Sequence, residues 1–110
     1  MQARFIHDGN AIDYRPDSDV SAGDVVVQEQ LVGIAKVDIP AGTLGALAVT
    51  GVFEMPKPGG DHFLVGHEVT WDNDAKIVVF HAPNEAGNVI GKVVKEPEIN
   101  SGSVLVRLGK

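Results

Sequence analysis

The chain of 110 residues has no cysteine, one tryptophan and one tyrosine. Without thiols there is no disulfide frame, no thiolate nucleophile and no cysteine-based metal site, so stability must come from packing and from association with other chains. Positive charge is also scarce: nine Lys and Arg stand against fifteen Asp and Glu, a formal net charge of -6. Sequence-blind binding to nucleic-acid phosphates needs the opposite balance, so no nucleic-acid partner is expected. No apolar run approaches the ~18 residues that a spanning helix requires, and no basic-then-apolar leader opens the chain; no membrane partner is expected either. Contiguous helix formers are missing too. Gly or Pro interrupts nearly every short stretch, at ~1 kcal/mol per interior Gly and ~3 per Pro in a helix.

What is abundant points to strands. Seventeen Val, seven Ile, thirteen Gly and six Pro describe short β-branched runs separated by turns. The hydrophobic share of 44% and charged share of 22% are those of a globular protein. The expected fold is all-β, a small barrel or sandwich of roughly eight short strands. The length suits one domain over residues 1–110, with residues 1–14 as an N-terminal arm or edge strand anchored by Phe5, Ile12 and Tyr14.

Along the chain, His7-Asp8-Gly9-Asn10 reads as a turn, residues 25–27 as a short strand buried on both faces, and residues 31–37 as another strand. The longest apolar stretch covers residues 44–55, with Gly51 as a bulge or bend. Residues 44–52 are apolar on both strand faces, more than one small sheet covers, which favours an oligomer. Pro56-Lys57-Pro58-Gly59-Gly60-Asp61 reads as an exposed loop. Residues 65–71 and 76–80 form a hairpin across Asp72-Asn73-Asp74-Ala75, a second loop covers 82–88, and strands at 89–95 and 103–108 end the chain. A turn Gly before a Val-rich run recurs at Gly23, Gly45 and Gly66, but the spacing then drifts, as in successive hairpins rather than a repeat array.

Each catalytic template fails. Gly87-Asn88-Val89-Ile90-Gly91-Lys92 is one residue short of a phosphate loop, has Val93 where a magnesium-binding hydroxyl belongs, and enters a strand. His67-Glu68 starts like a zinc-protease motif, yet Trp71 stands at the second histidine position. Asp72-Asn73-Asp74 starts like a calcium loop but lacks its glycine and closing glutamate. The serines lie in turns, none in a nucleophile elbow. No catalytic residue, metal or cofactor is expected. Two other readings stay open: a small β-barrel metal-dependent hydrolase built on the loop histidines His62, His67 and His81, and a carbohydrate- or peptide-binding module using Trp71 and Tyr14.

Several segments together resemble a known family. FIHDGNAIDY near the start, SAGDVVV, the long LVGIAKVDIPAGTLGALAVTGVFEMPK, GHEVTWD, VIGKVV and the closing GSVLVRL are similar to the cement, or head-decoration, proteins of tailed bacteriophages. The order and spacing cover nearly the whole chain; residues 58–65 and 80–88 depart from the family pattern. The resemblance implies a non-enzymatic β-rich protein, made in the bacterial cytoplasm, that binds the outer surface of the assembled capsid and stabilises the virion. It further implies a homo-oligomer, a trimer, in contact with the major capsid protein. Arg4, Phe5 and Ile6 are, on the same resemblance, the residues that reach the shell. The residues themselves add a reason. Phe5 and Ile6 sit in a short terminal segment with few local partners, which either docks on its own domain or waits for another surface.

Overall fold

A computed structural model describes residues 2–59, 62–82, 87–97 and 101–109. Among these residues there are nine strands and no helix. The strands make two antiparallel sheets, so the all-β expectation holds. The chain divides into two compact units, Met1–Thr50 and Gly51–Lys110.

The first unit holds β1 (Ala11–Tyr14), β2 (Val25–Gln28), β3 (Leu31–Ile34) and β4 (Gly45–Ala48), in the sheet order β1-β4-β3-β2. Ile12 lies opposite Leu47 and Tyr14 opposite Gly45, so these side chains share one face. On it Ile12, Tyr14, Val20 and Val26 pack around buried Ala35, Ile39 and Leu47. Glycine is required twice here for close approach. A Cβ at Gly33 would stand 2.8 Å from Leu47 Cβ, and one at Gly45 would stand 2.8 Å from the Ile39 side chain. The connections are pinned by carboxylates that accept backbone N–H bonds. Asp19 Oδ1 accepts from Ala41 N, Asp38 Oδ1 from Ala22 N, and Asp24 Oδ2 from Ser21 N, at 2.8, 2.8 and 2.9 Å. Residues 25–27 are not buried on both faces: Val26 packs on the core, so Val27, next along the strand, turns to the other face and is 37% exposed.

The second unit holds β5 (Gly51–Pro56), β6 (Glu68–Asp72), β7 (Ile77–Phe80), β8 (Val89–Lys95) and β9 (Ser103–Leu108), in the order β5-β9-β8-β6-β7. Cross-strand rows build its interior. Phe53, Val106 and Val93 lie side by side on β5, β9 and β8; Met55 pairs with Val104; Leu108, Gly91 and Val69 make a third row. Met55, Phe63, Val69, Val78, Ile90, Val93, Val104, Val106 and Leu108 are all buried. Gly91 is obligatory: a Cβ there would lie 2.1 Å from the Arg107 carbonyl oxygen. The outer strands β5 and β7 come near each other, yet no ladder joins them among the described residues. Neither sheet closes, so a closed barrel is not what these strands build.

Two other expectations are corrected. The apolar stretch 44–55 is not one bent strand: it breaks at Val49-Thr50, and its halves enter different sheets, with Gly51 at φ +118° starting the second. Lys57 is not exposed; it is 5% accessible, its ammonium lies 6.0 Å from the Phe63 ring centre, and Nζ donates to the Pro58 carbonyl at 3.1 Å. Its aliphatic stem covers the core phenylalanine while its head stays bonded.

Candidate functional site

The N-terminal segment presents the first unit's two most exposed large apolar side chains among the described residues. Residues 2–10 are all exposed and form no strand; the first ladder begins at Ala11. The turn chemistry of Asp8-Gly9-Asn10 explains the change of regime. Asn10 is the first fixed residue, its carbonyl accepting from Val49 N at 3.0 Å and its Oδ1 from Thr50 Oγ1 at 3.2 Å. The arm therefore leaves from β1, an outer strand of its sheet. Phe5 is 79% and Ile6 68% exposed, and Arg4 beside them brings a cation into an acidic chain. Covering the two apolar side chains on another surface is worth about 1.5–3 kcal/mol each before the cost of ordering the arm.

Sequence reasoning missed a second apolar surface. In the second unit Leu64 and Val65 are exposed beside buried Phe63. The strand expected over 65–71 starts only at Glu68, and which of Phe63, Leu64 and Val65 turns inward is decided by packing. Val37 and Leu44 in the first unit, and Val52 in the second, are also exposed.

The residues of the two alternative readings are occupied elsewhere. His62 Nε2 lies 3.1 Å from Glu96 Oε1. His67 Nδ1 accepts from Leu64 N at 3.0 Å, and its ring leans on Phe80 with centroids 4.8 Å apart. His81 is buried, and its backbone N–H donates to the Glu68 carbonyl. Among the described residues no three His, Asp or Glu side chains gather as metal ligands do. Trp71 Nε1 donates to Asn73 Oδ1 at 3.2 Å, an oxygen that also accepts from Lys76 Nζ at 3.0 Å, so the indole's one polar group is already bonded. Tyr14 packs on the first unit's core cluster. A shallow cleft of about 200 Å³ bordered by Glu54, Lys95, Glu96 and Ser103 is smaller than the ~300–1,000 Å³ of small-molecule sites.

Comparison with known proteins gives one family. The model of the family described as phage cement protein matches residues 6–108, which includes Ile6 and begins just after Arg4 and Phe5. A search of curated proteins finds no match. Among solved structures, the head fiber N base of bacteriophage phi29 is similar, with a TM-score of 0.47 and 16% identity over 90% of this chain and 92% of that one.

Proposed function

The chain belongs to the phage cement protein family, and on that premise we propose that it decorates the outer surface of an assembled bacteriophage head, holding neighbouring copies of the major capsid protein through its N-terminal arm. The family match over residues 6–108 carries the cement role itself; the exposed arm supports the choice of anchor. In this reading the two units work as one protomer, the protein performs no catalysis, and it resides on the virion.

The physical logic needs no deep pocket. Each attachment buries a modest apolar area, Phe5 and Ile6 at its centre, with Arg4 available to a carboxylate on the shell. A homotrimer joins three such contacts, and if their spacing fits the lattice, avidity gains ~10²–10⁴ over one contact. The exposed Leu44 of the first unit and Val52 of the second each support association between copies. Because the protein binds the assembled shell and not its dispersed subunits, each bound copy shifts the equilibrium toward the intact capsid.

Purified heads lacking the protein test this directly. Added protein should co-sediment with them to saturation and raise the temperature at which they rupture. Light scattering on the free protein at micromolar concentration should give the mass of a trimer. Protein that leaves the heads bare would contradict the proposal.

A further inference from the structure

We propose that Asp8–Gly9 is a self-modification site, at which the aspartate isomerises to isoaspartate through a cyclic succinimide. It is the one Asp-Gly pair in the sequence, which has no Asn-Gly pair. Both residues are exposed and lie outside any strand, so no ladder holds the peptide plane away from the side chain. Glycine puts no Cβ beside the attacking nitrogen and leaves φ free, and even an added Cβ would meet no atom within 4 Å beyond the adjoining residues, so no other part of the described chain crowds the glycine.

His7 supplies the third condition. Its Nδ1 lies at hydrogen-bonding distance from the Asp8 carbonyl oxygen. That oxygen carries no proton, so the ring nitrogen is the donor. Negative charge collects on this oxygen when the Gly9 amide gives up its proton, and a donor aimed there lowers the cost of forming the nucleophile.

The step balances without a co-reactant. Gly9 N bonds to Asp8 Cγ, the Cγ–OH bond of the protonated carboxyl breaks, and that hydroxyl leaves as water with the amide proton. Water then adds to either ring carbonyl. Attack at Cγ restores aspartate; attack at the former backbone carbonyl leaves the chain running through the side-chain carboxyl. One water leaves, one enters, and the mass is unchanged. The main chain gains one methylene at position 8, two residues before Asn10, which is fixed to Val49 and Thr50. The arm bearing Arg4, Phe5 and Ile6 is thereby re-aimed. On the anchor reading, on which this consequence alone rests, free protein loses its grip on heads as it ages.

Full-length protein is held at physiological temperature and near-neutral pH, then digested, and isoaspartate is located by electron-transfer fragmentation. Asp72-Asn73 serves as the internal reference, because Asp72 Oδ1 is engaged by the N–H groups of Asp74 and Ala75, both at 3.0 Å. Isoaspartate should accumulate at position 8 and not at 72, several-fold more slowly in Gly9→Ala and more slowly in His7→Ala. No more isoaspartate at 8 than at 72 overturns the site, and an unchanged rate in His7→Ala overturns the histidine's part. Aged protein that carries isoaspartate yet fills heads like fresh protein supports this site and contradicts the anchor reading; absence of isoaspartate leaves the anchor reading intact.

Discussion

Residues 1–50 make their sheet from four strands of four residues each, whereas residues 51–110 use five strands that run up to seven. Among the described residues the first unit buries Ile34, Ala35, Ile39, Leu47 and Ala48, and fastens its connections with carboxylate-to-amide bonds from Asp19, Asp24 and Asp38. The second buries Phe63, Met55 and a set of Val, Leu and Ile side chains in cross-strand rows. One is held by polar turns around a small apolar centre, the other by apolar burial. The unit with the smaller centre carries the exposed segment that holds Phe5 and Ile6.

The largest effect should come from the second unit's centre. Phe63→Ala should cost ~3–5 kcal/mol in a denaturant titration, because the phenylalanine is fully buried and its removal also uncovers the Lys57 stem. Leu47→Ala should cost less, ~2–3 kcal/mol, because half-exposed Ile12, Tyr14, Val20 and Val26 border it and can collapse inward. Equal costs would break the contrast. Gly91→Ala comes next, at ~2 kcal/mol, since its Cβ would strike the β9 backbone; Gly33→Ala meets the Leu47 side chain and should be milder. Thermal melts of the pair give the order.

Carboxylate removal should separate the units at smaller scale. Asp38→Ala frees the Ala22 amide and should cost ~1 kcal/mol, read as faster hydrogen exchange in β2 and β3 with β8 and β9 unchanged. Exchange that rises equally in both units would mean they open together. Smallest of all on stability is Phe5→Ala, within ~0.5 kcal/mol for so exposed a residue, while attachment to heads weakens by ~1–3 kcal/mol per site.

The two units also differ in how far the sequence announced them. The strands at 89–95 and 103–108 are read with their observed bounds, because β-branched runs stand between Pro97, Gly102 and other turn residues. The Asp72-to-Lys76 reversal is equally plain, since Asp72 accepts two backbone amides as aspartate in a turn does. In the first unit, the β2–β3 reversal at Glu29-Gln30 has no Gly or Asn; Glu29 takes φ +54° because the ladder on either side demands it. The break between β4 and β5 lay hidden in an unbroken apolar run, and only Gly51 hinted at it. Lys57 misled through its neighbours, since Pro56, Pro58 and Gly59 advertise a loop while the Phe63 ring beside it draws the lysine stem in. For the candidate site, the sequence left residues 4–6 open between an edge strand and a free arm, and their exposure shows only once the first ladder is seen to begin at Ala11; the exposure of Leu64 and Val65 follows from the burial of Phe63.

The central claim is that the rigid part of the molecule can be kept whole while its attachment is removed. Heads lacking the protein should therefore be titrated with the full chain and with a variant deleted for residues 2–7, and occupancy counted per head after sedimentation. The account expects the deletion variant to fold and to keep its oligomeric mass while leaving heads bare. Full occupancy by the deletion variant would contradict it.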